Sequence, residues 1–215
     1  MESLEAELER ARGLAVDEIA DAIEEIGFEC TRCGACCTRE ADDPHTATVF
    51  PDEVRALESE DRPWNDVARP MPYGLEDGEG QTFEWALQTD GCGDCVFYEE
   101  SEGVGACSVH PDRPLICRTY PFSVALAGTT QPMGEAVDEK GIVRAHECEG
   151  LGREISRGDA EELAQALKER AVRELEEAIG VRENYRPVEE ETVVYDSEGP
   201  KRVDGSEIDD TNSRS

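Results

Sequence analysis

The residues best able to do chemistry in this chain are its nine cysteines, and the densest group is Cys30-x2-Cys33-Gly34-Ala35-Cys36-Cys37. A CxxC turn brings two thiolates onto one metal ion, because zinc–sulfur bonds of about 2.3 Å require the sulfurs to sit close together. Gly34 supplies the permissive backbone such a turn needs and leaves amides free to hydrogen-bond sulfur. With Cys36 the spacing becomes C-x2-C-x2-C, that of the first three ligands in a bacterial iron–sulfur run whose fourth ligand comes from elsewhere. Neighbouring side chains tend to point apart, so Cys36 and Cys37 need not serve one centre; a second centre or a bridging thiolate follows. Two further blocks read Cys92-Gly-Asp-Cys95-Val-Phe-Tyr98 and Cys107-Ser-Val-His110-Pro-Asp-Arg113-Pro114-Leu-Ile-Cys117-Arg118-Thr-Tyr120-Pro121-Phe122, and Cys148 follows His146 by two residues. Thiolates in these numbers suit iron, an iron–sulfur cluster or zinc.

Other residues near the cysteines have supporting roles. Arg113 and Arg118 flank Cys117 and are placed to neutralise part of a thiolate-rich site, whose charge is costly to bury. Each also has many carboxylates to pair with instead. His110 and His146 stand at ligand spacing from Cys107 and Cys148, but the thiols suffice without them, and His45 lies further from the pattern. Tyr120, Pro121 and Phe122 read as packing around the site. The chain has no GxSxG, P-loop, GxGxxG before a helix or HExxH, so no residue is assigned to catalysis.

The elements that must position these residues are an α+β set: a small, loop-rich, metal-stapled domain with short strands, flanked by two amphipathic helices. Leu4, Leu8, Ala11, Ala15, Ile19, Ala22 and Ile26 recur at helical spacing over residues 1–28, with Gly27 as a stop and Gly13 as a place to break. Strands are expected over 46–50 and over 81–87, where Phe83, Trp85 and Leu87 alternate, and a helix at Pro51. A second long helix is expected from a cap at Asp159, with the stripe Ala160, Leu163, Leu167, Ala171, Leu175 and Ala178, ending at Gly180. The divisions are residues 1–29 (N-terminal helix), 30–152 (cysteine-cluster domain), 153–185 (C-terminal helix) and 186–215, an acidic tail expected to be disordered from residue 196.

Charge sets the surroundings. The chain carries 52 acidic and 21 basic residues, a formal net charge of −31, and 18 of the basic residues are Arg. Abundant carboxylates with almost no Lys suggest a halophile's protein, because at ~1 M salt the Debye length falls to about 3 Å and self-repulsion fades. The same surface argues against binding nucleic acid or an anionic membrane. No apolar run approaches the ~20 residues of a spanning helix, and the start has no signal-peptide pattern. A reducing cytoplasm is therefore expected, where clustered cysteines are more often ligands than disulfides.

Taken together, Cys30, Cys33, Cys36, Cys37, Cys95, Cys107, Cys117 and Cys148, with Arg113, Pro114, Arg118, Tyr120, Pro121 and Phe122, resemble the YkgJ-like cysteine-cluster family of zinc- or iron-chelating CxxCxxCC proteins, over roughly residues 28–152. Cys92 is an extra thiol against that pattern. The resemblance implies metal binding by the eight matching cysteines, as iron, an iron–sulfur cluster or zinc. Eight thiols suit two four-ligand centres, or one cluster plus reactive cysteines. A redox or electron-transfer role with a partner protein follows if a cluster is held, and a structural or metal-handling role if zinc is. A related cysteine cluster accompanies a flagellin lysine methylase, which keeps accessory and enzymatic roles open.

Overall fold

The computed structural model describes residues 3–40, 43–126 and 135–208. Its helices are α1 (Leu4–Arg12), α2 (Val16–Ile26), α3 (Pro51–Leu57), α4 (Trp64–Val67), α5 (Leu115–Thr119) and α6 (Arg157–Asn184). Its strands are β1 (Thr48–Val49), β2 (Ala68–Pro70), β3 (Leu75–Glu76), β4 (Glu79–Thr82), β5 (Trp85–Leu87), β6 (Tyr98–Ser101), β7 (Val104–Cys107), β8 (Phe122–Val124), β9 (Ala136–Lys140), β10 (Val143–His146), β11 (Thr192–Asp196) and β12 (Gly199–Lys201). They form the small sheets β1-β5-β2, β8-β10-β9 and β12-β11-β4-β3 and the hairpin β6-β7, an α+β arrangement. No helix among the described residues is long and apolar enough to cross a membrane.

The helical layer is built along α6. The 28 residues of α6 span about 42 Å at 1.5 Å per residue, too long for one partner helix of ordinary length. The N-terminal stripe therefore breaks at Gly13, and α1 and α2 lie end to end against α6, running in the opposite direction. Leu8 and Ala11 pack on Ala171 and Leu175, while Ile19, Ile23 and Ile26 pack with Ala160, Ala164 and Leu167. Polar pairs follow the same order: Glu5 with Arg182, Arg12 with Glu176, the Leu14 carbonyl with Lys168, and Asp21 and Glu24 with Arg157.

Both ends of α6 differ from the sequence reading. The cap is Ser156, not Asp159: the Ser156 hydroxyl accepts from the Asp159 amide at 3.1 Å and donates to its carboxylate at 2.6 Å. The helix also continues past Gly180 to Asn184. Gly180 serves packing instead, since a Cβ there would stand 2.6 Å from the Cβ of Ser197.

Ser197 belongs to a hairpin in the region expected to be disordered. β11 pairs with β12 antiparallel and with β4 parallel, and Val193, Val194 and Tyr195 are fully buried. The disorder expectation fails over residues 196–208, which hold the end of β11, β12 and buried Ile208, and its portion over 209–215 lies outside the described residues. Lys201 and Asp196 are buried together in an ion pair of 2.9 Å, and the Trp85 indole donates to Asp196 at 2.9 Å. Charges that counted toward disorder are thus paired inside, and β11, buried on both faces, has no alternation to read.

The expected strand at 46–50 is two residues long, and that at 81–87 is split. Phe83 is exposed between β4 and β5 and stacks on Tyr195. β5 is the central strand of its sheet, so Trp85, Ala86 and Leu87 are all buried. With Val49, Val54, Leu57, Trp64, Val67 and Phe97, Trp85 and Leu87 form the apolar cluster on which part of the cysteine set rests.

Candidate metal centre

Backbone pairing gathers cysteines that are up to 118 positions apart in sequence. At one edge, an isolated bridge joins Phe28 to Leu151, the Glu29 amide donates to the Gly150 carbonyl at 3.0 Å, and the Gly152 amide to the Gly27 carbonyl at 3.0 Å. This zipper sets Cys30 beside Cys148. It depends on Gly150, where a Cβ would stand 2.3 Å from the Glu29 carbonyl oxygen. At the other edge the Cys95 amide donates to the Cys37 carbonyl at 2.8 Å, and the β6-β7 hairpin pairs Tyr98 with Cys107.

The turn carrying Cys33 and Cys36 is held against that hairpin. The Gly105 amide donates to the Arg32 carbonyl and the Cys37 amide to the Gly34 carbonyl, both at 2.8 Å. Gly34 has φ +80°, and a Cβ there would stand 2.2 Å from the Tyr98 hydroxyl. Conformation and space together therefore demand glycine at this position. Cys36 and Cys37 do not point apart as adjacent side chains usually do: their sulfurs lie 3.8 Å apart.

Cys117 is carried by α5, whose start is fixed from outside the cysteine pattern. The Glu53 carboxylate accepts from the Phe50 amide at 3.0 Å and from the Leu115 amide at 2.9 Å, capping α3 and α5 at once. Burial raises the Glu53 pKa above its ordinary value. The far end of α5 is held by Arg170, which is buried and donates to the Thr119 hydroxyl at 2.9 Å, the Phe122 carbonyl at 3.3 Å and the Glu174 carboxylate at 2.6 Å. Tyr120 donates to the Glu147 carbonyl, next to Cys148. Sequence reading missed Glu53 and Arg170 as positioning residues. Glu53 has a visible helix-start signal, whereas nothing in the sequence marks Arg170.

All nine cysteines are free thiols. Cys117 is raised by burial and then by Cys95, Cys36 and Cys107, with Arg113 opposing. Burial lifts Cys95 to about 11, with Cys107 and Cys36 adding to it. Cys148 is raised by burial and by Cys33, Cys36 and Cys30, while the Gly150 amide donates to its sulfur at 3.4 Å. Cys36 is raised chiefly by its hydrogen bond to Cys37. These mutual influences mark Cys30, Cys33, Cys36, Cys95, Cys107, Cys117 and Cys148 as neighbours. Among the described residues, however, no three His, Cys, Asp or Glu side chains are arranged to hold a metal ion. Donors are gathered without a closed coordination shell. Their chemistry, soft sulfur with an amide aimed at one of them, fits zinc or an iron centre.

The remaining candidates are placed as follows. Arg113 acts on Cys36 and Cys117 and donates from Nε to the His110 carbonyl at 3.2 Å, whereas Arg118 is exposed on α5. Cys92 is exposed at the tip of the turn between Thr89 and Cys95, its amide bonded to Asp90. His110 is exposed, and His146 is buried on β10 with Nε2 at 2.8 Å from the Ser123 hydroxyl.

His45 offers a pH test. Its Nε2 is buried without a hydrogen-bond partner, and burial, then the Arg69 guanidinium, push its pKa down to about 4 against the pull of Asp94. Above pH ~6.5 the ring is neutral in both folded and unfolded chains, and the full stability is present. Between there and pH 4 the unfolded chain takes up a proton that the folded one refuses, so stability falls as pH falls, by up to about 3 kcal/mol. Replacing His45 by Gln is expected to remove that part of the acid sensitivity in urea midpoints measured from pH 7.5 to 4. Parallel curves for the two proteins would exclude His45 as its source.

Comparison with known proteins adds one match. No curated protein and no solved structure matches the chain significantly. The family model CxxCxxCC, described as "Putative zinc- or iron-chelating domain", matches residues 29–149, the stretch that contains every cysteine. The chain belongs to the CxxCxxCC family of zinc- or iron-chelating domains.

Proposed function

We propose that this protein holds iron, as an iron–sulfur cluster, or zinc, through Cys30, Cys33, Cys36, Cys37, Cys95, Cys107, Cys117 and Cys148, with Arg113 and Arg118 tempering the charge of the thiolates. One observation carries the reading: eight cysteines of the family pattern, scattered over the matched stretch, are drawn together as free thiols by pairings between otherwise irregular segments. The C-x2-C-x2-C spacing with remote further ligands favours a cluster, and with it an electron-transfer or accessory role toward a partner protein. Zinc in a structural or metal-handling role is the second reading, favoured by the exposure of Cys30, Cys33 and Cys36, which suits exchange. Reduced thiols and the acidic surface support work in a cytoplasm of high salt, away from nucleic acid and membranes.

Anaerobically purified protein is expected to contain metal, and a brown colour with iron and acid-labile sulfide would identify the cluster. Colourless protein with stoichiometric zinc would replace the cluster by the second reading, and protein that retains no metal would overturn both. Cys33→Ser is expected to lose at least half of the bound metal in elemental analysis, and Cys92→Ser to lose none. Full retention in Cys33→Ser would remove Cys33 from the ligand set.

A further inference from the structure

The gathered thiols do not share one environment. Cys30 and Cys33 are exposed, and Cys148 is half-buried on the zipper that joins residues 27–29 to 150–152. Their mutual influence, together with that of Cys36, is registered at Cys148. Cys95 by contrast belongs to the apolar cluster of Trp85, Leu87 and Phe97, and Cys37, Cys107 and Cys117 pack against that same cluster. The two groups use different backbone supports. The first hangs on the 27–29/150–152 zipper, and the second on the Cys95–Cys37 hydrogen bond, the β6-β7 hairpin and the capped helix α5. They meet at the Cys36–Cys37 peptide, whose sulfurs stand 3.8 Å apart, and at the Gly105–Arg32 hydrogen bond that holds the Cys33–Cys36 turn on the hairpin, so Cys36 acts on Cys95 and Cys117 as well as on Cys148.

Resting on the metal-binding reading above, we infer that the site comprises two adjoining metal positions of unequal access: an outer one built from Cys30, Cys33, Cys36 and Cys148, and an inner one built from Cys37, Cys95, Cys107 and Cys117. Each set supplies four sulfurs, the number a tetrahedral thiolate centre takes. The inner position lies against the apolar cluster, with Cys95 buried and Cys37, Cys107 and Cys117 half-buried, so a competing chelator reaches it less readily than the outer one. The outer position has three exposed ligands, Cys30, Cys33 and Cys36, and can exchange its metal without disturbing the core. A protein so built keeps one metal to hold its loops and offers the other for delivery or for reaction.

Cadmium, which shares zinc's preference for thiolates, is the probe. The full-length metal-free protein is titrated with Cd2+ under reducing conditions, followed by the sulfur-to-metal absorption band, and the loaded protein is then challenged with excess EDTA. The expected result is two equivalents bound and two phases of release, the faster at least ten-fold ahead of the slower. Cys30→Ser is expected to remove the fast phase and one equivalent, leaving the slow phase unchanged. Cys107→Ser is expected to remove the slow phase. If Cys107→Ser does not fold, the wild-type chase and Cys30→Ser still decide the matter. A single equivalent, lost in every variant alike, would overturn the two positions while leaving metal binding intact. Two equivalents released at one rate would overturn the difference in access. No cadmium bound at all would overturn the metal-binding reading itself.

Discussion

Stripping the metal is expected to loosen the cysteine-bearing loops and leave the helical layer folded. The layer of α1, α2 and α6 is held by its own apolar clusters, which include no cysteine. The loops are held by single backbone bonds, such as Glu29 to Gly150, Gly105 to Arg32 and Cys95 to Cys37. Without metal, burial and crowding keep Cys95, Cys117 and Cys148 protonated, and neutral thiols attract one another weakly. Structural zinc supplies about 10–16 kcal/mol in small finger peptides; part of such a contribution, several kcal/mol, is at stake here. In hydrogen exchange with and without chelator, the amides of Glu29, Cys37, Cys95 and Gly105 are expected to speed up by roughly 100-fold or more, while that of Leu167 in α6 stays protected. Unchanged protection at those four amides would mean that the metal is cargo with no share in the fold.

Arg170→Met is expected to cost about 3–5 kcal/mol, the cost of breaking a buried ion pair from one side. Arg170 is 3% exposed; it pairs with Glu174 one turn on in α6 and ties Thr119 at the end of α5 and the Phe122 carbonyl at the start of β8 to that helix. Methionine can fill the space but returns none of these hydrogen bonds. Because Thr119 is two residues from Cys117, metal retention should weaken along with the denaturation midpoint. A loss below about 1 kcal/mol would mean that water enters and replaces the guanidinium.

The parts of the fold legible in the sequence were those governed by a period or a spacing. Ile19 and Ile26 recur at helical intervals and are buried on α6, with Ile23 rather than the expected Ala22 completing the buried face, and the stripe through Leu167 and Leu175 is buried as its spacing implies. Pro51 and Glu53 announced α3. The cysteine spacing named the chemistry, because ligand distances constrain short motifs tightly. What escaped depends on contacts between distant positions. The β11-β12 hairpin looked like solvated tail because Asp196 and Lys201 are charged, and only the fold reveals that they face each other beside Trp85 and Trp64. Gly180 looked like a helix stop because its role, room for Ser197, involves a segment 17 residues on. The convergence of the Cys36 and Cys37 sulfurs likewise runs against the tendency of adjacent side chains.

The three lysines of the chain are all engaged: Lys140 pairs with Glu25, Lys168 donates to the Leu14 carbonyl, and Lys201 is 2% exposed between Asp196 and Glu198. To an amine-directed reagent Lys140, in a surface ion pair, stays open, whereas Lys201 is closed. Acylation at Lys201 has to wait for the β11-β12 hairpin to come away from Trp64 and Trp85, so its rate is a clock for that opening.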